Sequence, residues 1–133
     1  MVTFEEFEDI AWEIADMLPK EFYQQLNGGI IVQQERKIHP ESIANDLSIM
    51  GEYVRHKHLG RYIVLYYGSF MVLYGHCDKE RIRKQVRKTI LHEFRHHLES
   101  LAGERGLEIE DAVQIAKYKE KNAKKTLDET EST

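Results

Sequence analysis

The apolar positions of the chain fall into blocks of different period. Phe7, Ile10, Ala11, Ile14, Met17 and Leu18 recur at helical spacing opposite Glu5, Glu8, Glu13 and Asp16, which predicts an amphipathic helix lying on a core. Thr3 and Glu6 occupy the N-cap and N3 positions of a capping box at its start. Pro19 ends it and can open a short second helix over 20–26, and Asn27-Gly28-Gly29 is a turn. Residues 30–35 predict a strand, 37–42 a loop, 47–54 a strand or an irregular segment, and 55–60 a basic turn. Residues 61–67 form the strongest strand by composition. Beyond Gly68-Ser69, residues 70–74 read as a second strand, or as the first continued across a bulge. Helical spacing then returns in Ile82, Val86, Ile90, Phe94, Leu98 and Leu101, with Asp78 as N-cap and Gly103 as C′ residue. A further helix is expected over 109–122, and the polar residues 123–133 as a disordered tail. This order predicts an α+β domain over 1–122, with a small sheet packed against the long central helix and helices at both ends.

That central helix carries the chemistry. Leu91-His92-Glu93-Phe94-Arg95-His96-His97 contains H-E-x-x-H. Positions i and i+4 lie one above the other on a helix, so the imidazoles of His92 and His96 can converge on one Zn²⁺. Glu93 points about 100° round the helix. From there its carboxylate reaches a metal-bound water rather than the metal, and can take that water's proton as it attacks a carbonyl. The histidines lie on the side opposite Ile90 and Leu101, beside Gln85, Thr89 and Glu99, a polar face suited to a cleft floor. His97 points nearer the apolar stripe and is expected to be a buried, hydrogen-bonded core residue. His56 and His58 are expected on a solvated loop.

Composition narrows the setting. The 133 residues are 41% hydrophobic and 32% charged, ordinary for one soluble domain, and the net charge of -4 argues against nucleic-acid binding. A single cysteine, Cys77, excludes an internal disulfide framework and fits a reducing compartment. The acidic start is unlike a signal peptide, and the longest apolar stretch, 62–75, is broken by Gly68-Ser69 and too short for a membrane helix. The expectation is a cytoplasmic protein with a peptide or protein substrate, no nucleic-acid partner and no membrane.

The chain resembles the small zincin-like metallopeptidases of bacteria. The resemblance spans roughly 4–122 and includes the acidic first helix ending in Leu18-Pro19, the segment Met50-Gly51-Glu52-Tyr53 and the apolar region 61–74. Its most specific part is the motif followed by Leu98-Glu99-Ser100-Leu101-Ala102-Gly103-Glu104-Arg105. The resemblance implies a minimal zincin fold and a zinc site with His92 and His96 as ligands and Glu93 as general base. Many relatives break the helix soon after the second histidine and supply an Asp as third ligand; Ala102 stands near that place here. Glu99 shares the histidine face, but three ligands along one straight helix converge poorly on a tetrahedral ion. Asp111 is therefore the expected third ligand, with Glu110 and Glu104 as alternatives. Tyr53, Tyr66, Tyr67, Tyr74 and His76 are available as oxyanion donors. The expected function is a zinc-dependent hydrolase, a metallopeptidase taking an extended peptide along residues 70–74 as its sheet edge. The alternative is a non-catalytic, metal-stabilised binding or regulatory domain.

Overall fold

The computed structural model describes residues 1–44 and 46–105, without the side chains of Glu104 and Arg105. The elements in chain order are α1 (Phe4–Met17), a 3-10 turn (Lys20–Tyr23), β1 (Gly29–Gln33), β2 (Lys37–Ile38), β3 (Ser48–Ile49), β4 (Gly51–His56), β5 (Gly60–Tyr66), α2 (Tyr67–Tyr74) and α3 (Lys79–Arg105). The capping box forms: Thr3 N–H donates to Glu6 Oε1 (3.2 Å) and Glu6 N–H to Thr3 Oγ1 (3.1 Å). Asp78 caps α3 by accepting from the Arg81 N–H at 2.9 Å. Both caps satisfy N–H groups that a helix leaves without partners in its first turn.

The result is an α+β domain. β5 is the middle of a three-stranded sheet, parallel to β1 and antiparallel to β4, while β2 and β3 make a separate two-stranded ladder. The core lies between this sheet and the two long helices. Ile63 and Leu65 of β5, Phe7, Ile10 and Ile14 of α1, and Ile82, Val86, Ile90 and Phe94 of α3 are all at most 1% exposed. The Phe94 ring meets Phe22 at 5.5 Å and Tyr23 at 5.0 Å, which fastens the 3-10 turn to the motif helix. Outside this core Lys79 pairs with Glu6 at 3.5 Å, and Arg83 pairs with Glu13. Among the described residues no helix is long and apolar enough to cross a membrane.

Three expectations need correction. Residues 70–74 are not a strand: they lie in α2, and the sheet has no edge there. A short, wholly apolar run has no period to separate helix from strand, and the backbone decides. The Gly68 N–H is shared by the carbonyls of Gln34 and Glu35 (3.1 and 3.2 Å), and a Cβ on Gly68 would stand 2.5 Å from Arg36 N. Buried Ser69 then accepts from the Lys37 N–H at 3.0 Å. The 34–37 segment thus crosses over the end of β5, and the chain turns into a helix that buries Phe70. The predicted loop 37–42 contains β2, which pairs with β3 through Lys37↔Ile49 and Ile38↔Ser48. Gly103 does not end the motif helix, which runs on to Arg105, so Glu104 lies on α3 and not after a turn. The helix expected over 109–122 and the boundary at 122/123 lie outside the described residues.

α3 lies close against the face of β4, and Gly51 allows the approach. A Cβ there would stand 2.8 Å from Thr89 Cγ2 and 3.1 Å from the Val64 carbonyl oxygen. Gly51→Ala is therefore expected to cost about 1–3 kcal/mol by overpacking, measured by urea unfolding. Thr89→Ser removes the nearer obstacle, so the double variant should recover part of that loss; strict additivity of the two substitutions would show that they do not meet.

Candidate metal centre

One face of α3 presents His92 and His96 to solvent, one turn apart. Their Nε2 atoms stand 3.1 Å from each other, with ring centroids 4.6 Å apart and planes at 89°. Two nitrogens each bound to one tetrahedral ion at about 2.0–2.1 Å would be separated by roughly 3.3 Å. The pair therefore fits two adjacent ligand positions.

Glu93, between them in sequence, turns under β4 and is 7% exposed. Burial pushes its carboxyl above the ordinary value, and Glu52 pushes the same way; His92, His96 and a hydrogen bond from the Tyr53 backbone N–H pull against them. A raised carboxyl is a stronger proton acceptor, the property a general base needs. The Tyr53 N–H is available to it because of ladder register. Tyr66 N–H donates to the Met50 carbonyl at 3.0 Å, so Glu52 and Val54 face β5 in turn, while Gly51, Tyr53 and Arg55 direct their backbone groups to the open edge.

α3 and this edge enclose a cleft of about 750 Å³, lined by Gly51, Glu52 and Tyr53 on one side and His92, Glu93 and His96 on the other. A second hollow of about 380 Å³ extends it past Thr89 and Gln85. Glu52 is held in place: its Oε1 accepts from Lys37 Nζ at 2.5 Å and from Tyr66 Oη at 2.7 Å. Burial raises the Glu52 carboxyl, but these two donors outweigh it and leave it below the ordinary value. Burial and Glu52 push the Tyr66 hydroxyl up to about 12, so it remains a donor at neutral pH.

The sequence model for zincin-like metallopeptidases matches residues 34–116, from the β1–β2 connection through the motif helix. The chain belongs to this family. Among solved structures it is similar to a conserved hypothetical protein from Thermus thermophilus, at 35% identity and a TM-score of 0.67 over 77% of this chain and 99% of that one. No curated protein matches it.

In this zincin-like chain the expected third ligands fall outside what the structure describes: Asp111 and Glu110 entirely, and Glu104 in its side chain. Glu99 lines the cleft, yet among the described residues no group of three His, Cys, Asp or Glu side chains is placed to hold a metal. His56 and His58 lie exposed at the β4–β5 hairpin, where His56 Nδ1 accepts from the backbone N–H groups of His58 (3.1 Å) and Leu59 (3.0 Å).

Of the oxyanion candidates, Tyr53 alone lines the cleft. Tyr67 donates to the Val2 carbonyl at 2.5 Å, Tyr74 belongs to α2, and His76 is exposed beyond it. The Tyr53 hydroxyl is engaged as well. His97 is fully buried, with Nε2 2.7 Å from the Gln24 carbonyl and Nδ1 2.8 Å from Tyr53 Oη. A carbonyl only accepts, so Nε2 carries the hydrogen; in the tautomer with its single hydrogen there, Nδ1 accepts and Tyr53 Oη donates to it. This makes Tyr53 a clamp between β4 and α3 rather than a donor aimed into the cleft. The sequence indicates a core histidine but not its partner. Tyr53→Phe should leave a buried acceptor unsatisfied and cost about 1–3 kcal/mol in urea unfolding; unchanged stability would show that water replaces the hydroxyl.

Proposed function

We propose that the cleft is the active site of a zinc-dependent metallopeptidase, with His92 and His96 holding Zn²⁺, Asp111 completing the ligand set, and Glu93 as general base. The observation that carries this reading is the 3.1 Å convergence of the two Nε2 atoms on a cleft floor, with buried Glu93 beside them. Zn²⁺ in such a site supplies Lewis acidity and makes water nucleophilic at neutral pH. The chain's own groups do the rest. The outward backbone groups of Gly51, the Tyr53 carbonyl and Arg55 suit an extended peptide added to the β4 edge. This edge replaces the one expected at 70–74. Glu93 takes a proton from the water that attacks the scissile carbonyl carbon, and returns it to the leaving amide nitrogen as the C–N bond breaks. The single cysteine and the absence of a long apolar helix among the described residues support a cytoplasmic setting.

Purified protein is expected to hold about one Zn²⁺ per chain, and His92→Ala or His96→Ala to lose it in elemental analysis. In chelator competition Asp111→Ala should release zinc more readily than Glu99→Ala. Glu93→Gln keeps the size of the side chain but cannot accept the proton. It should retain zinc and lose at least about 10²–10⁴-fold in cleavage of a mixed peptide library read by mass spectrometry. Undiminished cleavage by Glu93→Gln would mean another base. Zinc without cleavage by either form would favour the metal-stabilised binding domain.

A further inference from the structure

The β2–β3 ladder carries none of the groups that would bind zinc or move a proton. It lies outside the three-stranded sheet, yet several contacts fix it. The Lys37 N–H donates to buried Ser69 Oγ at 3.0 Å, and Lys37 Nζ pairs with Glu52 at 2.5 Å. Arg36 Nε donates to Ser48 Oγ at 2.8 Å, and Lys37 stands opposite Ile49 in the ladder. Two short strands are not stable by themselves in water, so these contacts are what keep Ile49 in place. Its side chain is only half-buried. Met50, the next residue, packs against the core and is half-buried as well.

Ile49 and Met50 line one wall of the hollow of about 380 Å³ that extends the cleft. Gln85, Lys88 and Thr89 of α3 line the other, and His92 and Glu93 border both the hollow and the cleft. The hollow therefore opens directly beside the groups of the candidate metal centre. Its strand wall is apolar, and the helix wall adds a methyl group and the aliphatic stems of Gln85 and Lys88. Binding pockets combine such an apolar lining with a few polar groups that fix orientation. Covering Ile49 and Met50 with an apolar side chain removes their surface from water. Lys88 is exposed, so water screens its attraction for an acidic side chain, and burial of a large apolar one is worth more. A cationic side chain would meet Lys88 as a like charge.

We propose that this hollow is the specificity pocket of the cleft and takes a large apolar side chain, Leu, Met or Phe, from the peptide residue beside the scissile bond. The inference rests on the reading of the cleft as a peptide site. Because His92 and Glu93 border the hollow, the residue that fills it adjoins the bond on which these groups act. Ile49 sets the size of the pocket from the strand side and Gln85 from the helix side. The contacts of Lys37 and Ser48 then serve to hold a binding wall in position.

The test is fluorescence anisotropy on the full-length, zinc-loaded Glu93→Gln protein. It is titrated against labelled Gly-Ser decapeptides that carry one central Leu, Phe, Ala, Glu or Lys. The Leu and Phe peptides are expected to bind about tenfold or more tighter than the Ala peptide, with the Lys peptide no tighter than the Ala peptide. Ile49→Ala widens the hollow and should move the optimum from Leu towards Phe. Gln85→Phe fills it from α3, at a half-buried position, and should remove most of the Leu and Phe advantage. A changed preference in either variant supports the pocket. Equal binding of the Leu, Ala and Glu peptides overturns the proposal. So does binding of none of them, a preference for Glu or Lys, or an apolar preference unchanged in both variants. Cleavage of a mixed peptide library by wild type, read in parallel, separates the two readings. Zinc-dependent cleavage with no apolar preference beside the cut bond removes the pocket and leaves the hydrolase. An apolar preference in binding that the variants alter, without any cleavage, supports the pocket and counts against turnover.

Discussion

The site depends on how closely α3 lies against β4. Gly51 removes the side chain that would hold the helix away at Thr89. Tyr53 and His97 then tie the two elements together through a part-buried hydrogen bond, and Arg55 adds a further link to Ser100. Three consecutive outward positions of one strand are thus matched to successive turns of the helix. Glu93 is buried only because this seam is closed, and its raised carboxyl follows from that burial. His92 and His96 stay at the open margin, exposed to solvent, where two imidazoles can meet an ion.

The seam also explains how the side chains around the cleft are held in place. The motif helix is anchored along its apolar side by α1 and the Phe22–Phe94 contact, and along its polar side by β4. Functional groups are held best when the elements that carry them are themselves locked by packing and hydrogen bonds. Glu52 shows the same principle on the other wall of the cleft, fixed by Lys37 and Tyr66 before any ligand arrives.

Much of this was legible in the sequence where a local rule suffices. Thr3 and Glu6 announce a capping box, Asp78 a cap, and Ile82 to Leu101 a helix, because these signals act within a few residues. The facing of His92 and His96 follows from helix geometry alone. The wall opposite them was not legible. Residues 51–55 alternate between two faces, but which face meets α3 depends on pairing with β5, a contact between distant segments. Hence the sequence assigns no role to Gly51, Glu52 or Arg55, although Met50-Gly51-Glu52-Tyr53 is part of the family resemblance. Residues 70–74 resemble a strand in sequence because nothing in an unbroken apolar run reveals that residues 34–37 cross the chain at Gly68.

If His92 and His96 together hold a zinc ion, zinc K-edge X-ray absorption on the natively purified protein will show both imidazoles. The expected first shell is nitrogen and oxygen only, at about 2.0–2.1 Å, with outer-shell scattering from two imidazoles that falls to one in His92→Ala reconstituted with excess zinc. A sulfur scatterer at about 2.3 Å, which would bring in Cys77, or a spectrum without imidazole scattering would contradict it.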